Sequence, residues 1–422
     1  INMKKESYYK STAIFPYIQK HAHASTIVEL SNGDLLSAWF QGSGERQADD
    51  VLIMGSRLRK GKDKWSKPFI MADVPGFPDT NPVLFFDTQD RLWLVWYTVI
   101  AHQWDTSLLK YRISKNYLKP GGAPIWSWQE VLYVKPGDPA ERGIQPNDSF
   151  VKSVERQIEE YEIYLRNTSG DQEAIERWKL WGKRMLSKAK GEDMMRKGIL
   201  YDDKGGYVEQ EMGYPYFRRM GWQTKNKAVI VGKRIILPLY SDGFDFSLMA
   251  ITDDDGETWQ FSDPLVGPGN IQPSIAIKSD GTLVAYMRDN GPPPKRLHIS
   301  MSKDNGMTWS PVGDSEIPNP GSGADVVTLE NGHWALVYND TENGRHRLAV
   351  SISVDEGISW IWTRHLEKGN IGEISGAYPS IIEGHDGTLH VVYSFSCRDS
   401  HGITQKTIKH ANFNEEWVKE GE

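Results

Sequence analysis

Three short segments of this chain are nearly identical and stand in phase. They are Thr252-x-Asp254-x-Gly256-x-Thr258-Trp259, Ser302-x-Asp304-x-Gly306-x-Thr308-Trp309 and Ser353-x-Asp355-x-Gly357-x-Ser359-Trp360. Starts at 252, 302 and 353 give a period near fifty. A fixed period of that length in strand-rich sequence marks a repeat architecture and points to the blades of a propeller. The pattern also has a local mechanism. The hydroxyl and the carboxylate bond nearby backbone, glycine supplies an unusual φ, and tryptophan plugs the turn against its blade.

A second repeat covers more of the chain. Six segments read as strand, turn, strand with alternating apolar residues: 26–40, 81–97, 226–240, 273–287, 325–338 and 379–393. Asn32-Gly33, Asp280-Gly281, Asn331-Gly332 and Asp386-Gly387 supply hairpin turns between them. Ser56 to Trp65 and Ser114 to Trp126 fit the repeated-turn slot in the first two units. Six inner hairpins predict an all-β, six-bladed β-propeller, with 1–422 forming one such unit. The spacing breaks once, between 97 and 226. There Val151, Val154, Ile158 and Tyr161 recur at helical spacing, as do Ile175, Trp178, Trp181 and Met185, with Ser169 and Gln172 as a capping pair. Residues 140–215 therefore read as a helical insertion between blades two and three, with solvated faces. Its expected role is in substrate access and not in the stability of the ring.

Composition narrows the partners. The net charge is −7 and no long basic run exists, which argues against nucleic acid. No stretch approaches the length of a membrane span. Cys397 is the single cysteine, so no internal disulfide and no thiolate metal cage is expected, and neither metal nor cofactor is called for. Most of the 16 Trp and 18 Tyr are expected to pack the wide β-sheets, and some to line a sugar site, where flat rings stack on pyranose faces. The opening Ile1-Asn2-Met3-Lys4-Lys5 is not followed by an apolar export core.

Propeller geometry locates the site. Inner strands begin, and second strands end, on one face of the ring, while the hairpin turns and the repeated Asp turns fall on the other. Asp254, Asp304 and Asp355 are thus structural. The inner-strand starts carry His21, His23, Asn81, Lys225, Asn226, Gln272, Asp325 and Tyr378. The second-strand ends add Asp242, Arg288, Asp289, Asn339 and Asp340, and the following loops Glu45, Asp49, Arg345 and Arg347. Convergent polar groups in a concave place form a binding-site hypothesis.

With its Asp-box repeats the chain resembles the sialidase superfamily over nearly its whole length, apart from 140–215. Where sialidases carry Arg-Ile-Pro-Thr on the first inner strand, this chain has His23-Ala24-Ser25-Thr26, so His23 replaces the first arginine of a carboxylate-binding triad. The resemblance implies Arg288 as the second arginine, Arg345 or Arg347 as the third, and Tyr378 in the place of the nucleophilic tyrosine. It also implies an acid/base group among Glu45, Asp49 and Asp50. It carries two enzymatic chemistries. One is glycoside hydrolysis, with Tyr378 polarised by an acid such as Glu373 and Glu45 or Asp49 as acid/base. The other is β-elimination at a uronic acid, with Arg288 and Arg345 neutralising the carboxylate while His23 and Tyr378 exchange protons. A third reading is a glycan-binding propeller without catalysis. The first is preferred, on an anionic oligo- or polysaccharide, with His21, Arg347, Gln272, Asp242, Asn226 and Asp325 as further binding residues. Sialic acid is not the expected best substrate, and a secreted or periplasmic location is expected.

Overall fold

The computed structural model describes residues 5–138, 147–192, 196–201, 204–212 and 216–422. Six antiparallel sheets follow one another around a ring. In blade one the strands run His21–Glu29, Leu35–Gly42, Leu52–Leu58 and Phe69–Ala72, from the axis outward. Blades two, four and five repeat this order, with inner strands Asp79–Phe86, Asn270–Ile277 and Asp325–Thr328. Blade three splits its inner strand into Trp222–Gln223 and Val229–Val231, both paired with Arg234–Ser241. Blade six takes three strands from the end of the chain, Ile374–Glu383, Leu389–Arg398 and Thr404–Phe413. Its fourth is Tyr9–Ala13 from the beginning, in register from Tyr9 opposite Phe413 to Ala13 opposite Lys409. That strand ties the two ends of the described chain together and closes the ring.

The repeated turns lie between the third and outermost strands. In the first of them Asp254 Oδ1 accepts from Thr252 Oγ1 at 2.8 Å and Thr258 N at 2.9 Å, while Gly256 N donates to Thr252 Oγ1 at 2.8 Å. The same bonds recur around Asp304 and Asp355. Gly256 has φ +89°, and a Cβ there would stand 2.3 Å from the Trp93 ring of the preceding blade, so both backbone and packing demand glycine. These carboxylates are spent on the turn.

The insertion contains two antiparallel helices, α1 (Ser149–Thr168) and α2 (Gln172–Lys190), then a hairpin of Arg196–Tyr201 with Tyr207–Met212. The edges of the 140–215 insertion read from the sequence, at 140–146 and 213–215, lie outside the described residues. Asp171, and not Ser169, caps α2 by accepting from Glu173 N, because Ser169 already closes the end of α1. The expectation that the insertion leaves ring stability untouched is corrected here. Phe150, Val151, Val154, Tyr161 and Trp178 are buried in one core with Phe244 and Phe246 of blade three and Tyr97 of blade two. Gln157, also buried, donates to Pro264 O at 2.6 Å and accepts from Val266 N at 2.8 Å. One helical face is thus part of the ring's packing. Among the described residues no helix is long and apolar enough to cross a membrane.

Candidate active site

At the axis, four inner strands break their ladders in the same way. Each has a bulge in its pairing with the second strand, between His23 and Thr26, Thr80 and Val83, Ile271 and Ser274, and Ala377 and Ser380. At each bulge one non-glycine residue is left-handed: Ala24 at φ +60°, Asn81 at +50°, Gln272 at +54° and Tyr378 at +52°. In three of the four the next residue is proline, Pro82, Pro273 or Pro379, which lacks the N–H a regular ladder would use. Such backbone costs on the order of 1–3 kcal/mol per residue and clusters where a side chain must be aimed. Here it belongs to the strand ends that face the funnel.

The funnel is a cavity of about 410 Å³ lined by His23, Glu45, Asn81, Asp242, Gln272, Arg288, Arg345 and Tyr378, all singled out in the sequence. The Tyr378 oxygen accepts from Arg288 Nη1 at 2.8 Å and from Gln272 Nε2 at 3.0 Å. Gln272 Nε2 also reaches the Tyr240 hydroxyl at 3.2 Å, which Asn81 Nδ2 meets at 3.2 Å from the other side. The guanidinium of Arg345 lies 5.4 Å from the centre of the Tyr378 ring and that of Arg288 6.0 Å. Developing negative charge on the phenol oxygen, or a carboxylate bound beside it, is met by two guanidinium groups. Burial opposes the charge on Arg288, but Tyr378, Tyr240 and Asp242 outweigh it and hold its pKa above the ordinary value.

The His23 ring packs against Tyr378 with centres 4.2 Å apart and planes tilted by 37°, and its Nδ1 is 2.8 Å from Ser394 Oγ. Burial, reinforced by His21, Arg345, Lys406 and Lys225, drives its pKa well below the ordinary value. The imidazole is therefore neutral near pH 7. Below the ring, Lys225 is buried, with Nζ bonded to Asn226 Oδ1 at 3.0 Å and to the carbonyl of Pro379. Burial lowers its pKa to about 7.

The carboxyl groups divide into two kinds. On one wall His21 Nε2 lies 2.8 Å from Glu45 Oε1, and Lys406 Nζ is 2.6 Å from His21 Nδ1. Because the ammonium can only donate, Nδ1 accepts and Nε2 carries the proton toward Glu45. Burial pushes Glu45 up, yet His21, Arg345 and Lys406 prevail, and its pKa lies below the ordinary value. On the other wall burial raises Asp242, and burial with the charge of Asp242 raises Asp245 to about 6. Carboxyls pushed apart in this way have the chemistry to supply a base and an acid.

Several expected site residues lie elsewhere. Asp49 is exposed and pairs with His102 Nε2 at 2.8 Å, since the turn from Glu45 to Ala48 aims Glu45 inward and Asp49 outward. Glu373 is exposed and bonded to Asn370 Nδ2 at 2.9 Å. It does not line the funnel, and the phenol is bonded instead to Arg288 and Gln272, so Glu373 does not polarise it. Arg347 is held by Asp340 at 3.6 Å and His365 at 3.3 Å. Asn226 and Asp325 sit under the funnel floor. Asn226 Nδ2 donates to Gln272 O at 3.1 Å, and Asp325 binds Ser274 Oγ at 2.7 Å, Lys227 Nζ at 2.7 Å and Ile381 N at 2.9 Å. They knot the inner strands together. His21 lines a side chamber and not the funnel. The sequence reading missed Asp245, Tyr240, Tyr97, Trp104 and Lys406. The run Ser241-Asp242-Gly243-Phe244-Asp245 is a tight turn at a second-strand end, a signal that placed Asp242 and applied equally to Asp245.

Six blades, Asp turns on one face and an arginine-flanked tyrosine on the other define a sialidase-like β-propeller. The chain belongs to the BNR repeat-like domain family, whose model matches residues 33–143 and 222–391 and skips the insertion. A sialidase of Paraclostridium sordellii is 30% identical over 154 residues, which cover 32% of this chain and 37% of the relative. The match thus spans little more than a third of that curated relative. Among solved structures, a Dyadobacter fermentans protein of unknown function superposes with TM-score 0.61 at 14% identity, covering 96% of this chain and 99% of that one. The intramolecular trans-sialidase of Ruminococcus gnavus, in complex with oseltamivir carboxylate, gives TM-score 0.57 at 14% identity, covering 94% and 95%. At such identities the structures show the shared fold.

Proposed function

We propose that the funnel is the active site of a glycan-processing enzyme that hydrolyses a glycosidic bond at an acidic sugar. The observation that carries this reading is the Tyr378 hydroxyl, 2.8 Å from Arg288, on the wall of an open cavity. Arg288 and Arg345 take the sugar carboxylate. Asp245 gives its proton to the glycosidic oxygen as the bond to the anomeric carbon breaks and the alcohol leaves. The oxygen of Tyr378 faces the cationic carbon that results. Glu45 takes a proton from water as the water oxygen bonds to that carbon, and exchange with solvent restores both carboxyls. A secreted or periplasmic enzyme would meet such an oligo- or polysaccharide substrate, in keeping with the expected location.

A second reading, β-elimination at a uronic acid, is favoured by one observation. Among the described residues the partners of the Tyr378 oxygen are the Gln272 amide and the guanidinium groups of Arg288 and Arg345, all donors, and no carboxylate is among them. The phenolic proton is then free to serve the leaving oxygen. Neutral His23 would remove the C5 proton, the C4–O bond would break, and a C4=C5 double bond would form. The neutrality of His23 also argues against sialic acid as the best substrate, since imidazole grips a carboxylate less firmly than guanidinium does.

The test is a panel of uronic-acid- and rhamnose-capped oligosaccharides beside a fluorogenic sialoside. New reducing ends without ultraviolet absorbance support hydrolysis, and absorbance of an unsaturated uronate selects elimination. Turnover of the sialoside alone, or binding without any product, contradicts the proposal.

A further inference from the structure

His23, Glu45 and Arg345 line the funnel on one side, and the same three residues line a chamber of about 200 Å³ between blades one and six. Beyond that chamber, His21, Glu45 and Lys406 also line an open shelf on the loop Ser43 to Gln47. The three spaces share these side chains as walls, with His21, Glu45 and Lys406 common to chamber and shelf.

We propose that this side chamber is a second subsite, which holds the anionic substituent (a carboxylate or a sulfate ester) of the sugar unit next to the one in the funnel. The inference rests on reading the funnel as an acidic-sugar site.

Charge and donor count support it. Arg345 and Lys406 are the cations of the chamber, and Glu45 is its carboxylate, with one oxygen already held by His21. The ammonium of Lys406 spends one hydrogen on His21 and keeps two. Arg345 Nη2 reaches Gly321 O at 3.4 Å and the guanidinium also bonds Tyr378, which leaves the remainder of its five N–H groups for a ligand. Ser375 and Ser396 stand opposite each other in register on the two inner strands of blade six. Among the described residues their hydroxyls have no hydrogen-bond partner. Half-buried, unpaired hydroxyls beside two cations, in a chain of net charge −7, make a local anion trap that the packing of the blade does not require. The shared wall sets the geometry, since a sugar whose carboxylate meets Arg345 in the funnel has its neighbour across that same guanidinium. The ligand is then a stretch of acidic polysaccharide of at least two units.

The experiment uses the full chain and an array of uronate oligosaccharides of one to four units, with sulfated neutral oligosaccharides of the same lengths. Ser396→Phe and the smaller plug Ser375→Gln each fill the chamber without touching the funnel, and thermal unfolding shows that each variant is folded. The wild type binds the two-unit ligand about tenfold more tightly than the one-unit ligand, and both plugs erase that gain while one-unit binding stays within about twofold. The series that shows the gain names the substituent. A gain that survives both plugs, no gain between one and two units, or no retained acidic glycan overturns the proposal. A plug-sensitive gain without any bond cleavage overturns the hydrolytic reading and leaves the subsite standing.

Discussion

The hydroxyl of Tyr378 lies 2.8 Å from Nη1 of Arg288, although 90 residues and a whole blade separate them. Tyr378 comes from the inner strand of blade six and Arg288 from the second strand of blade four. Ring closure makes the contact, so the strand Tyr9–Ala13 that completes blade six belongs indirectly to the site. The funnel exists only in the assembled propeller.

Asp245 sets an alkaline limit. Its carboxyl must be protonated to serve as the acid, and burial with the charge of Asp242 holds its pKa at about 6. Turnover therefore falls as pH rises through that value, while the acid limb belongs to Glu45, whose pKa lies below the ordinary value. Asp245→Asn removes the alkaline limb and costs about 10²-fold in kcat, the scale of a lost proton-transfer group. A pH–rate profile of both proteins checks it, and an unchanged limb in the variant would assign the role to Asp242.

His298 makes stability pH-dependent. Its Nε2 is 3.2 Å from Asp289 and its Nδ1 3.1 Å from Asp314, contacts made by charge attraction more than by well-aimed hydrogen bonds. Burial disfavours the imidazolium, but the two carboxylates outweigh it and raise the pKa to about 9. A raised pKa means that the native state holds the proton more tightly than the unfolded chain. The contribution, about 3 kcal/mol, is complete below pH 6.5 and is lost as pH rises through 9. Urea unfolding across that window should show the decline, and His298→Gln should flatten it.

The insertion is predicted to stabilise the ring. Gln157→Ala leaves Pro264 O and Val266 N without their buried partner and should cost about 3 kcal/mol in denaturant unfolding. A change below about 0.5 kcal/mol, the level of an ordinary surface substitution, would show that α1 merely rests on the blades.

The period near fifty and the hairpins made the ring, its blade count and its two faces legible, because a blade's strand–turn–strand pattern is local. The convergence of His23, Gln272, Arg288 and Tyr378 followed from those faces alone. What local pattern does not encode is the direction of a loop side chain. Glu45 and Asp49 are four residues apart and equally acidic, but one turn aims the first inward and leaves the second with His102. Glu373 is near Tyr378 in sequence but sits in the exposed turn before the strand, bonded to Asn370. The closing strand at Tyr9 and the contact of Lys406 with His21 join residues from opposite ends of the chain, and no spacing rule reaches that far. The amphipathic helices were readable, but not which surface they cover.

The most direct test of the account is the turnover of the acidic-oligosaccharide panel by wild type and Tyr378→Phe, with affinity measured in parallel. The phenyl ring keeps the packing on His23 and removes the oxygen between Arg288 and Gln272. The account predicts that kcat falls by about 10²-fold or more while affinity changes little. Wild-type turnover by Tyr378→Phe on a confirmed substrate would contradict it and take the site assignment with it.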